Sequence, residues 1–196
     1  MLSLGEISAV LAMVAAVPYL YQIFHGGVKP ERASWFVWTT LLMISYFSQR
    51  AAGGGDSLGL VLGDIIATAS ILVVACFKGT GGFSRFDITC LVLAFLGVAI
   101  WQLADLPVIA ITAVIFADAM GSLPTIRKAY FAPQTESRLA FSITASAAVF
   151  GILAVGSWNF TLLVYPFYIL LANLAVVLAC QIGYKLHNHM NPEQLN

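Results

Sequence analysis

Seven long, continuously apolar runs separated by short polar connections constrain this 196-residue chain more than any other feature. A helix crossing the roughly 30 Å hydrocarbon layer of a bilayer needs about 17 to 25 apolar residues. Cutting the sequence at its polar and Gly/Pro clusters leaves runs at 4–24, 34–50, 57–77, 87–104, 107–128, 139–156 and 161–184. None of the connections, His25–Arg32, Ala51–Asp56, Lys78–Arg85, Ala104–Leu106, Ala132–Arg138 and Ser157–Asn159, is long enough to hold a soluble domain. Any function therefore resides in the bundle. Charged residues make up 9% of the chain, too few to cover a water-exposed surface, which argues against soluble enzyme folds. Transmembrane strands would alternate over about ten residues, whereas these runs are apolar over about twenty, so an all-helical bundle is expected.

Net charge is zero, which removes any bulk electrostatic basis for binding nucleic acid. Cys76, Cys90 and Cys180 are widely spaced, without a C-x-x-C pair or histidines at metal-ligand spacing, so neither a disulfide framework nor a metal site is expected, and no cofactor is implied. No basic residue precedes Lys29, and Glu6 stands where a secretory signal would carry one, so the first run reads as a retained membrane helix. The basic residues segregate. Lys29, Arg32, Lys78, Arg85, Arg127, Lys128, Arg138 and Lys185 fall on one side of a seven-helix topology and Arg50 on the other. Positive charge is retained in the cytoplasm, which predicts an N-terminus outside, a cytoplasmic C-terminus and a plasma (inner) membrane location.

An internal repeat is legible. Val17-Pro18 near the end of the first run leads to Arg32-Ala-Ser-Trp35, and Leu123-Pro124 near the end of the fifth leads to Arg138-Leu-Ala-Phe141; each proline stands fourteen residues before its arginine. Val74-Ala-Cys76 closes the third run and Leu178-Ala-Cys180 the seventh, so the offsets are 106 and 104 residues. Three helices exit on the side opposite to their entry. A fourth helix must therefore intervene for the second copy to run parallel to the first. The expected organisation is a three-helix repeat at 1–80, a linker helix at 86–105, a second repeat at 106–188 and a short cytoplasmic tail at 189–196.

This 3+1+3 plan resembles the SWEET sugar transporters, which are built from parallel repeats about an axis along the membrane normal. More widely it is similar to the PQ-loop group, whose signature is a proline near the end of helices one and five followed by a basic, serine-containing turn. Pro18, Lys29 and Ser34 fit the first copy, and Pro124, Ser137 and Ser142 fit the second. Tyr19 and Thr125 follow the two prolines where that group has glutamine, and the Pro133-Gln134 dipeptide lies in a connection. The resemblance implies a solute site between the repeats. Asn173 matches one of the paired asparagines of the SWEET sugar site, while helix three offers Asp64, Thr68 and Ser70 in place of the other. Bacterial nicotinamide riboside transporters share a similar plan and surround their ligand with aromatic residues.

Asp118, near the middle of the fifth run, is the residue most costly to expose to lipid, so it should face protein or a water-filled cavity. Ser122 at i+4 and Thr125 at i+7 extend its polar face, and Gly121 permits close approach of another helix. Asp64, with Thr68 one turn on, lies nearer the outer end of helix three, and Asn173 offers donors and an acceptor deep in helix seven. Each of these groups serves equally as interhelical glue. Of the tryptophans, Trp38 is placed to stack on a ligand; Trp35, Trp101 and Trp158 read as an interfacial belt. Pro18 and Pro124 each remove a backbone hydrogen bond and are candidate hinges; Pro166 could do the same. His25, His187 and His189 read as solvated.

The expected function is transport of a small polar solute, with protons as a candidate coupled ion, by alternating access between the two repeats. A nicotinamide riboside or vitamin-type facilitator is the alternative with the same plan. An enzyme is not expected, although Asp64 and Asp118 echo the aspartate pair of intramembrane aspartyl proteases. Against that, Val61-Leu62-Gly63-Asp64 lacks the first glycine of their G-x-G-D motif.

Overall fold

The computed structural model describes residues 3–51, 58–103, 107–155 and 160–190, and these are helical apart from short connections. In chain order the helices are α1 (Leu4–Val14), α2 (Ala16–His25), α3 (Arg32–Ala51), α4 (Leu58–Lys78), α5 (Arg85–Leu103), α6 (Pro107–Phe131), α7 (Arg138–Ala154) and α8 (Phe160–Met190), with one 3-10 turn at Pro133–Thr135. The expected tail at 189–196 begins inside a helix, since α8 continues to Met190; residues 191–196, like the connections at 52–57, 104–106 and 156–159 with Trp158, lie outside the described residues.

Local chemistry sets the helix ends. Ser3 and Glu6 form a reciprocal capping box at the start of α1, so Glu6 satisfies a backbone donor there. Ser84 and Asp87 repeat the arrangement at the start of α5, and Asp87 also accepts from the Gly82 amide at 2.8 Å. Ser137 caps α7 by accepting from the Ala140 amide. The two candidate hinge prolines differ. The first long helix is interrupted at Ala15, where Pro18 leaves the Val14 carbonyl without its usual donor, whereas α6 runs unbroken through Pro124 and α8 through Pro166.

Three helices, Leu4–His25 with its break, Arg85–Leu103 and the Leu163–Leu186 part of α8, are long and apolar enough to cross a membrane. Packing is inverted relative to a water-soluble protein. The interior is made largely of small residues, among them Ala75, Ala117, Ala129, Ala145 and Cys180, while Phe77, Phe83 and Leu103 are more than 80% exposed. On α8 the exposed Phe167, Leu171, Leu174, Leu178 and Ile182 follow one another at three- and four-residue steps, forming an apolar stripe on the outside. Small residues inside and large ones outside is the pattern of helices packed within lipid. At the α3–α6 crossing, a Cβ on Gly121 would stand 2.6 Å from Val37 Cγ1, which identifies α3 as the helix that Gly121 admits.

Helix adjacency has a regularity. α4 packs against α3 and against α1 and α2, and α8 packs against α6 and α7; among the described residues the backbones of α2 and α3 stay apart and are bridged by the Tyr19 and Trp35 side chains, and no close backbone approach pairs α1 with α3 or α6 with α7. The two groups meet where α1 and α2 pack on α7, and where α3 packs on α6, while α5 lies against α6 and α3. The α2–α3, α4–α5 and α6–α7 connections gather at one end. There the Lys29 amide donates to the Thr135 carbonyl, and Arg32 donates to the carbonyls of Ala75 and Gly81. Lys78 lies over Phe24, Arg127 over Phe86 and Arg138 over Tyr184 at this same end.

Candidate solute site

Between the two groups of helices lies a cavity of about 550 Å³, to which every long helix contributes. Helical spacing explains how. Asp64 and Thr68 on α4, Asp118 and Ser122 on α6, and Trp35 and Trp38 on α3 stand three or four residues apart, so each pair projects from one face. All six residues singled out from sequence, Asp118, Ser122, Asn173, Asp64, Thr68 and Trp38, line this one cavity.

Asp118 is 8% exposed and well supported. Its Oδ2 accepts from the Tyr168 hydroxyl at 2.6 Å and from Ser122 Oγ at 3.3 Å, and Trp38 lines the cavity with it. Asp64 has no hydrogen-bond or ion-pair partner for its carboxyl among the described residues. The Thr68 hydroxyl donates to the Asp64 carbonyl, Thr144 to the Ala140 carbonyl, and Asn173 Nδ2 to the Ile169 carbonyl. Each of these side chains has spent a donor on its own helix.

Three expectations need correction. Thr125 does not continue the polar lining, because its hydroxyl donates to Ser34 Oγ at 2.8 Å within the α3–α6 contact, both residues being fully buried. Trp35 is not interfacial: it is buried, its Nε1 donates to the Tyr19 hydroxyl, and its ring packs 5.1 Å from that of Trp38. Trp101 also lines the cavity. The ring of His25 stacks on Tyr21 at the exposed end of α2; the side chains of His187 and His189 lie outside the described residues.

The basic end of the cavity is closed by a group that sequence reasoning missed. Tyr19, Trp35 and Phe141 form its floor, with ring centroids 4.9 and 6.0 Å from Tyr19. The Tyr19 hydroxyl donates to Glu136 Oε2 at 3.1 Å, and Glu136 Oε1 pairs with Lys128 Nζ at 2.6 Å. Lys128 donates further to the carbonyls of Lys29 and Thr135. Beyond this lock lies a second, polar pocket lined by Gln22, Glu136, Arg138, Ser142 and Gln181. Glu136 is thus the partition between the two spaces. Nothing in the spacing signals it: Tyr19 and Glu136 are 117 residues apart, and a glutamate in a polar connection reads as a solvated charge.

Glu31 sits beside the lock with its carboxyl packed against Gly81, which needs its positive φ of 68° there. Glu31 is 3% exposed and its Oε1 has no hydrogen-bond partner among the described residues. Burial, reinforced by the nearby Asp87 carboxylate, pushes its carboxyl up to about 7, against a smaller opposing pull from Lys128.

No family model, curated protein or solved structure matches the chain.

Proposed function

We propose that this chain is an integral membrane transporter of a small polar solute, working by alternating access between two parallel three-helix repeats, α1–α4 and α6–α8, joined by α5. The observation that carries the reading is the cavity itself. It draws polar side chains from both groups of helices and is closed at one end by the buried Tyr19–Glu136–Lys128 lock. A cavity near the middle of a bundle, between repeated halves, is where transporters of this type hold their solute.

Supporting evidence comes from the packing. The third helix lies between the other two in both groups, and contacts between the groups pair first helix with second in each direction, as an approximate two-fold relation requires. The outward apolar stripes fit seven lipid-facing helices. The clustered basic end fits a cytoplasmic side, with the N-terminus outside in the plasma membrane. The 3+1+3 plan keeps the SWEET and PQ-loop resemblance as the family reading. The aromatic lining of Trp35, Trp38, Phe141 and Tyr165 favours the nicotinamide riboside or vitamin-type variant as the second reading. Proteolysis by Asp64 and Asp118 is disfavoured, because the Oδ2 of Asp118 is engaged by Tyr168 and Ser122.

The test is cysteine accessibility after Cys76, Cys90 and Cys180 are replaced by serine. Asn173→Cys should react with an impermeant thiol reagent from the outer side, and Glu136→Gln should shift that reactivity toward the cytoplasmic side. Reactivity from one side alone in every background would refute alternating access.

A further inference from the structure

We infer that the solute is an organic cation carrying N–H donors, a protonated amine or guanidine with an apolar body; this rests on the transporter reading above. Three independent features of the cavity agree. Among its described lining residues, Asp64 and Asp118 are the charged ones, and no lysine, arginine or histidine accompanies them. Both line the same cavity, to which Tyr165 also contributes. An anion entering it would meet two carboxyls and no cation.

The hydrogen-bonding capacity of the wall is also one-sided. Thr68, Thr144 and Asn173 have each committed a donor to a backbone carbonyl of their own helix, which leaves oxygen lone pairs for a ligand. Trp35 donates to Tyr19, Tyr19 to Glu136, and Tyr168 to Asp118. Together with the two carboxyls, these lone pairs outnumber the donors that Asn173, Tyr165 and Trp101 add to the wall, which therefore presents acceptors in excess. A sugar, whose hydroxyls both donate and accept, would leave its own acceptors poorly matched, whereas an ammonium or guanidinium only donates. Aromatic faces supply the rest. Trp38 and Trp35 stand edge to face in the wall that also carries Asp118, and aromatic faces attract cations that the same wall would desolvate. A cavity of about 550 Å³ accommodates such a group together with an apolar body.

The experiment uses three benzyl probes on the full chain in detergent, by calorimetric titration: benzylguanidine, its neutral isostere benzylurea and the anion phenylacetate. Benzylguanidine should bind at least about tenfold more tightly than either of the others. Asp64→Asn, at a carboxyl without a partner among the described residues, should weaken benzylguanidine about fivefold or more and leave benzylurea unchanged. Equal binding of benzylurea, preference for phenylacetate, no binding of benzylguanidine up to about 10 mM, or an unaffected Asp64→Asn variant would each overturn the inference. Counterflow in proteoliposomes separates it from the reading beneath. Benzylguanidine that binds selectively yet never crosses would refute transport and leave the cation preference standing. Counterflow of benzylurea or phenylacetate without benzylguanidine would refute the cation preference and leave transport standing.

Discussion

Breaking the Tyr19–Glu136–Lys128 lock from either side should have unequal consequences. Glu136 has a fully buried side chain, while that of Lys128 is 9% exposed and is also held by the Lys29 and Thr135 carbonyls. Lys128→Met therefore strands a buried carboxylate, a change that costs about 3 to 5 kcal/mol. Glu136→Gln keeps the shape and leaves Lys128 with its carbonyl acceptors. It loses the charged character of the Tyr19 and Lys128 interactions, about 1.5 to 3 kcal/mol. Combining the two removes the stranded charge, so the double variant should be no less stable than Lys128→Met alone, with a coupling of about 2 kcal/mol or more. Reversible unfolding in mixed micelles measures all four corners of the cycle. Because the pair is buried, the coupling should persist at high salt. Additive single effects, or a coupling that vanishes on adding salt, would show that Glu136 and Lys128 are solvated neighbours and that the cavity floor is held by the aromatic residues alone.

Glu31 makes stability fall with rising pH. Its carboxyl titrates near 7 in the fold against an ordinary 4.5, so the folded state holds the extra proton between those values; the stabilisation is complete below about 4.5 and lost as pH rises through 7. Relative to Glu31→Gln, the wild type should weaken by on the order of 1 to 2 kcal/mol from pH 5 to 8, and a difference that does not change with pH refutes this. Gly81→Ala should destabilise by about 1 to 3 kcal/mol, because its backbone has positive φ and the new methyl meets the Glu31 carboxyl; a neutral result in the same unfolding assay would refute that packing. At the α3–α6 crossing, Gly121→Ala should cost about 1 to 3 kcal/mol and be only partly rescued by Val37→Ala, whose own Cβ would still stand 2.9 Å from the new methyl; no rescue at all would place the strain elsewhere. For topology, cysteines introduced at Gly54 or Asn159 should label on intact cells with impermeant reagents, and those at Phe83 or Gln134 should not; the reverse pattern overturns the orientation.

The helices were legible because each requires only local information. Apolar runs of bilayer length, Gly/Pro clusters between them and polar caps mark a segment whatever it packs against, so the ends of the runs fall close to helix ends, except that α8 continues past 184 to Met190 and the first run is broken at Ala15. The polar cavity residues were legible for a related reason. Asp64, Thr68, Asp118, Ser122 and Asn173 stand out against an apolar background, and lipid penalises such groups wherever they are not turned inward. Their partners were not. Whether Thr125 joins that polar face or bonds Ser34, and whether Trp35 lies at an interface or under Tyr19, depends on the rotation of α3 against α6 and α2, which spacing along one helix does not contain. The lock lay furthest from view. Glu136 is buried only because the α6–α7 connection folds over the end of α2 and sets its carboxylate between Tyr19 and Lys128. A charge in a connection is normally solvated, and only tertiary packing supplies the donors that make its burial tolerable.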